Sequence, residues 1–309
     1  MLAALARLVA LLSWGALGRA GAVLGWIAGS VLRIRRSAVE AAMARAGVES
    51  PADTASAMYR GLGAGVFELL WLAGVTAERR DEALRAHVRL DDDLDRALRE
   101  AADRGPVVLA ASHTGNWELI AYGAAQVLAK HGRRLAVVVK PQSVGAFHAF
   151  CTNLRTACGL VLIAPAGALR AARRTLAAGD VLAMPIDQVP DRKRHAIELS
   201  FLGAAAFADR APAAIARATG ATLLVVSASR HGRLHRGHLL AELAPSEAKT
   251  RDAVATGTRD ATRALEAFVR AEPSSWLWLH RRWRAPLEHR GGDVGRATSG
   301  PLVVTGHPG

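Results

Sequence analysis

An α/β fold, a mostly parallel sheet flanked by helices, follows from three features of the sequence. From residue 105 onward, short apolar runs alternate with helix-length segments. The runs are continuous rather than alternating in polarity, as parallel strands covered on both faces must be. The chain has 309 residues, 51% hydrophobic and 22% charged, which is a globular composition with enough material for a sizeable core. The strand-length runs are Val107–Ala111, Leu135–Val139, Leu160–Ile163, Val181–Ile186 and Thr222–Ala228. Segments near 116–130, 143–158, 166–178, 209–219 and 251–271 read as the intervening helices, which parallel strands need as crossovers. Two runs around Gly232, near 222–230 and 234–243, predict a hairpin at one sheet edge.

Ahead of this core, residues 1–36 form an apolar segment read as membrane-associated, and 37–104 a helical part. Leu2 to Leu32 is broken only by Arg7 and Arg19 and ends on Arg33, Arg35 and Arg36. Its longest charge-free stretches fall short of the ~20 residues of a spanning helix. One or two helices lying in the cytoplasmic leaflet are therefore expected, with Trp14 and Trp26 at the interface and the arginines on anionic headgroups. A single span carrying Arg19, and a hairpin buried on the protein, are the alternatives. A cleaved signal peptide is not expected, because no basic extreme terminus precedes the apolar run. Apolar positions recur at helical intervals in 37–80, at Val39, Ala42, Met43 and Ala46 and again at Phe67, Leu70 and Trp71. Gly61, Gly63 and Gly65 have neither a preceding strand nor a following acidic residue, so they read as close helix packing rather than a nucleotide loop. The core spans 105–289, and the Gly-rich residues 290–309 read as a disordered tail.

Charge narrows the partners. The net charge is +13, and all but four of the 40 cations are Arg, which suits phosphate or anionic lipid. Cys151 and Cys158 are seven apart and read as reduced core thiols, with no pair spaced for a metal or redox couple. His231, His235 and His238 read as hairpin side chains, and no metal is expected.

Chemistry concentrates in Ser112-His113-Thr114-Gly115-Asn116-Trp117-Glu118, which leaves a buried strand and opens a helix. Ligands of open α/β sheets collect at such carboxyl ends. A turn through Gly115 is expected to bring the Glu118 carboxylate back to one nitrogen of His113, leaving the other toward the cleft. An imidazole so oriented is a general base, and helix amino-terminal N–H groups nearby suit a developing oxyanion. The chain has no nucleophile elbow of the G-x-S-x-G type and no P-loop.

HTGNWE at 113–118 resembles the HX4(D/E) signature of the lysophospholipid acyltransferase superfamily, in the form used by its lipid A biosynthesis acyltransferase branch. The likeness extends along the chain: VLAMPIDQ at 181–188, SFLG at 200–203, AIARATGA at 214–221 and PSSWLWLHRRWR at 273–284 resemble successive blocks of that branch. It implies a glycerolphosphate acyltransferase-like fold and transfer of a fatty acyl group from an acyl thioester, carried by acyl carrier protein or coenzyme A, to a hydroxyl of a membrane glycolipid. On this reading His113 is the base and Glu118 orients it. Asn116, Lys140, Arg155, Asp187 and Gln188 contact substrate, and no metal or organic cofactor is needed because a thioester is already activated. The partners implied are the donor thioester and an anionic lipid acceptor at the cytoplasmic face of the inner membrane, and no nucleic acid. Ala208, Asp209, Arg210 and Ala211 depart from the branch, which usually has a threonine and a glycine there. The basic loop 191–195 and the tryptophans Trp276, Trp278 and Trp283 with Arg281 and Arg282 suit either an anionic, lipidic surroundings or ordinary solvation and packing. Two other classes stay open on sequence: a hydrolase using the same His/Glu pair on an acyl thioester or lysolipid, and a non-catalytic basic membrane-binding protein.

Overall fold

The computed structural model describes residues 2–140, 145–164, 167–245 and 251–285. Helices α1 (Leu2–Val9), α2 (Trp14–Trp26), α3 (Arg36–Arg45), α4 (Pro51–Gly74) and α5 (Ala77–His87) precede strand β1 (Val88–Leu90) and helix α6 (Asp92–Arg104). The alternating part then runs β2 (Val107–Ala111), α7 (Trp117–Ala129), β3 (Leu135–Val138), α8 (Gly145–Ala157), β4 (Leu160–Ile163), α9 (Ala168–Ala177) and β5 (Val181–Pro185). A hairpin of β6 (Ala196–Phe201) and β7 (Ala204–Asp209) follows, then α10 (Ala211–Thr219), β8 (Thr222–His231), β9 (Leu234–Leu243) and α11 (Arg251–Ala271). Each apolar run read from the sequence is a strand.

Among the described residues the main sheet has the order β1-β9-β8-β2-β5-β3-β4, and every pairing except β8–β9 is parallel. Side chains of successive residues enter opposite layers. On β2, Val108 and Ala110 face the layer that contains Leu176, Ile215 and Leu265; Val107 and Leu109 face the layer of Leu98, Leu119 and Leu128. This two-sided burial is the physical origin of the unbroken apolar runs. The β8–β9 hairpin turns at Gly232 as expected, but it is not the sheet edge. Three-residue β1 pairs parallel with β9 and takes that place, too short to produce a periodic signal of its own. The separate β6–β7 hairpin is not signalled in the sequence, because β7 is mostly alanine and gives β6 no partner run of strand character.

The amino-terminal helices pack on α4 through glycine. A Cβ on Gly63 would stand 2.1 Å from the Gly21 carbonyl oxygen, and one on Gly25 would stand 2.0 Å from that of Tyr59. Hence α2 and α4 touch backbone to backbone, and the Gly61, Gly63, Gly65 string serves helix packing at its centre. The opposite side of this layer is apolar and open: Leu8, Leu11, Val23, Trp26, Val31 and Leu32 are exposed, Leu11 by 82%. Among the described residues no single helix is long and apolar enough to cross a membrane; Trp14–Val31 and Arg36–Arg45 reach that length only as a pair bent by 87°. Trp14 does not sit free at an interface. It stacks on His87 with centroids 4.5 Å apart and meets Trp71 edge-on at 5.4 Å. Residues 290–309 lie outside the described residues.

Candidate active site

The site forms where two neighbouring parallel strands end together. Ala111 of β2 is in register with Pro185 of β5, and the Ile186 N–H donates to the Ala111 carbonyl at 2.8 Å. His113 and Asp187, each two residues further on, therefore arrive at one carboxyl edge. Gly115 then reverses the chain at φ +51°, where a Cβ would lie 2.8 Å from the Ala228 carbonyl oxygen, so both conformation and space demand glycine. The closing segment straps this turn down. Gly115 N–H donates to Ser275 O at 2.7 Å, and Leu277 N–H donates to His113 O at 3.0 Å.

His113 is held by Asp187, not by Glu118. Nδ1–H of His113 donates to Asp187 Oδ1 at 2.9 Å, and the His113 backbone N–H donates to Oδ2 at 2.8 Å. Trp276 Nε1–H adds a third donor to Oδ2 at 3.0 Å. Asp187 is fully buried, while the His113 side chain keeps 20% exposure. Fixing Nδ1 as the protonated nitrogen leaves Nε2 as the acceptor, and the Gln188 amide nitrogen stands 3.4 Å from it. Burial pulls the His113 pKa down, but the charge and hydrogen bond of Asp187, with the field of Glu118, outweigh it and leave the pKa above its usual value. Asp187 is held well below the carboxylate range: burial opposes this, and the neighbouring His113 and its hydrogen bonds prevail. The ring of His113 lies between Trp117 and His280, edge-on to both, with centroids at 4.9 and 4.8 Å.

Glu118 faces a different partner. Arg155 Nε–H donates to Oε2 at 3.0 Å, its Nη2 pairs with Oε1, and Tyr122 O–H donates to Oε2 at 3.1 Å. Four residues separate His113 from Glu118, but helix α7 begins at Trp117, so the glutamate leaves along the helix toward α8 instead of folding back over the turn. Arg155 is thus tied up with a carboxylate rather than free for a phosphate. Lys140 is likewise paired, with Asp191 at 2.8 Å on the exposed surface, and no hydrogen bond or ion pair joins it to His113. Asn116 points inward. Its side-chain oxygen caps α7 at the Leu119 N–H, and its amide donates to Glu68 Oε2 at 2.8 Å. Buried Glu68, on α4, also takes both Nη groups of Arg230 at 2.6 and 2.7 Å and faces His235 Nε2 at 3.3 Å. Of the residues read as lining the cleft, the fold places Asp187 and Gln188 at His113 and commits Asn116, Lys140 and Arg155 to other groups.

Among the described residues, one set of three or more possible metal ligands lies close together: His113, Asp187 and His280, with ligand atoms within 4.8 Å of one another. Asp187 already accepts three N–H donors, so an ion there would displace the imidazole proton. The histidines of the β8–β9 hairpin make hydrogen bonds instead. Ser229 Oγ lies 2.9 Å from His231 Nε2 and 2.7 Å from His238 Nε2, and His235 belongs to the Glu68 cluster.

The model of the bacterial lipid A biosynthesis acyltransferases matches residues 1–285. The chain belongs to that family. No individual curated protein matches it. As a lipid A biosynthesis acyltransferase, the protein is an enzyme that moves an acyl group from a donor to a lipid A-type acceptor. An apolar cavity of about 60 Å³ lies between α6, α7 and the sheet; Trp117 lines it and also meets the His113 ring. Leu94, Leu98, Leu109, Ile120 and Val226 line it, with Ser112 and Ser227 as the polar members. In this acyltransferase the tryptophans Trp276 and Trp278 and the guanidinium of Arg282 are buried, so they pack over the sheet and do not meet lipid. The sequence reading missed Trp276, His280 and Glu68 as parts of the site. Trp276 and His280 lie more than 160 residues from His113, and no local pattern marks an approach of that kind.

Proposed function

We propose that this acyltransferase carries a fatty acyl group from an acyl thioester, on acyl carrier protein or coenzyme A, to a hydroxyl of a lipid A precursor, with His113 as general base and Asp187 as the acid that orients it. The observation that carries this reading is the His113–Asp187 pair at 2.9 Å, which leaves Nε2 as the proton-accepting nitrogen of a ring that keeps 20% exposure. Nε2 takes the acceptor hydroxyl proton, and the oxygen attacks the thioester carbonyl directly. The adjoining apolar cavity, at about 60 Å³, has room for a few methylene groups of the acyl chain and not for its whole length. Glu118 acts at one remove: its ion pair with Arg155 joins α7 to α8 beside the turn, and its field favours the imidazolium formed in the step.

The protein works at a membrane surface in this reading, on the cytoplasmic side. The exposed residues Leu8, Leu11, Val23, Trp26 and Leu32 enter the leaflet, while Arg33 and Arg35 meet anionic headgroups. Two outcomes are expected with purified protein, an acyl thioester and vesicles holding a lipid A precursor. Ester accumulates in the lipid, and His113→Ala lowers its rate by about 10²–10⁴-fold, the range of a lost general base. Free fatty acid released at the same rate without acceptor would mean a hydrolase instead. In flotation, vesicles with anionic lipid bind more protein than neutral ones, and Leu11→Glu with Trp26→Glu weakens binding to both; equal binding by that variant would remove the leaflet-inserted surface.

A further inference from the structure

Three of the side chains that the resemblance placed against substrate are engaged elsewhere: Arg155 by Glu118, Lys140 by Asp191 and the Asn116 amide by Glu68. The strap over the site brings another. His280 lies four residues beyond Trp276, meets the His113 ring edge-on at 4.8 Å, and offers a nitrogen within 4.8 Å of ligand atoms of both His113 and Asp187. Its Nε2 is buried and has no hydrogen-bond partner. A polar atom left unpaired in the interior is costly, and beside a general base it marks a position whose partner arrives with the substrate. We propose that His280 is a further catalytic residue, whose Nε2–H donates to the thioester carbonyl oxygen as negative charge develops on it.

This assignment rests on the acyl-transfer reading above. Its chemistry balances without any further reactant. The acceptor O–H proton passes to His113 Nε2 as the new C–O bond forms, and the carbonyl π pair moves onto oxygen, which accepts from His280. Collapse of the tetrahedral species breaks the C–S bond, and the departing thiolate takes the proton back from His113, leaving ester and thiol. The electrostatics suit the role. Burial, with His113, Arg35 and Arg282 adding to it against Asp187, holds His280 near pKa 4. The ring is therefore neutral at physiological pH, a donor that does not repel the imidazolium forming at His113. A neutral imidazole of lowered pKa is an established way to polarise a carbonyl.

The test compares His280→Gln with His280→Met, similar in size but differing in whether an N–H remains, in the vesicle assay with wild type and His113→Ala alongside. His280→Met is expected to lower kcat by about 10²–10³-fold, the effect of one missing oxyanion donor, with KM changed by less than about threefold and the acidic limb of the pH profile in place. His280→Gln should keep at least about tenfold more kcat than His280→Met. Equal rates for the two variants, or a Met variant within about threefold of wild type, overturn the role of His280 and leave acyl transfer standing. A wild-type protein that forms no ester overturns both. A second readout needs no variant: an acyl trifluoromethyl ketone, whose hydrate mimics the tetrahedral state, should move the Nε2–H proton signal of His280 downfield, and an unmoved signal counts against the proposal even if the Met variant does not fold.

Discussion

Replacing Asp187 by Asn is expected to lower kcat by about 10³–10⁴-fold, the scale seen when the acid behind a catalytic imidazole is removed. The pH profile should move with it, and the direction follows from the forces on His113. In the intact site the Asp187 charge and hydrogen bond, with the field of Glu118, overcome burial, so the imidazole loses its proton above its ordinary pKa of 6.5. The base is competent only when neutral, so the acidic limb of kcat/KM lies above 6.5. With Asn at 187 the burial that opposes protonation is left with less against it, and the limb shifts to lower pH. Glu118→Gln should shift it less, because Glu118 acts on His113 through space while its oxygens bond Arg155 and Tyr122. Rate profiles of the three proteins decide the matter. A larger shift in the Glu118 variant than in the Asp187 variant would restore Glu118 as the partner of His113.

Glu68→Ala should cost about 3–5 kcal/mol of folding stability, measured by denaturant unfolding, because it leaves Arg230, whose side chain is only 19% exposed, without its counter-charge. Glu68 is nearly inaccessible and gathers Arg230 and His235 of the β8–β9 hairpin and Asn116 at the start of α7. The pH dependence offers a second check. Burial alone would raise its pKa, but hydrogen bonds and charge from His235 and Arg230 lower it to about 2 from an ordinary 4.5. A depressed carboxylate pKa contributes stability that is complete above 4.5 and is lost as pH falls through the folded value. Wild type should therefore lose stability between about pH 4.5 and 2 by a component that the Ala variant lacks. Activity should fall as well, since the Asn116 cap at the start of α7 loses its anchor. A variant that unfolds at the wild-type denaturant concentration would show the cluster to be energetically neutral.

Both predictions turn on contacts that sequence reading did not supply, and the reason is one of distance along the chain. His113 was legible because its turn is local: a buried run, a glycine and a helix start lie within a few residues. Its partner was misassigned for the same reason, since the nearest acid in sequence, Glu118, lies on the far side of a helix start that carries it away. Asp187 was read as a substrate contact at a strand end and not as the partner of His113. The register of β2 against β5 is what puts it 2.9 Å from the imidazole.

Local periodicity and composition by themselves determined the α/β class, the strands of the alternating part and the helices between them, and marked residues 112–118 as a candidate site, because these depend on interactions among near neighbours and on which faces must leave water. Only the tertiary structure decided that Asp187 holds His113, that Arg155 is tied to Glu118, and that the strap at 275–284 brings Trp276 and His280 over the candidate site. Those pairings join residues from separate strands and from the far end of the chain, and the free energy that selects them is gained only once the sheet has brought the partners together.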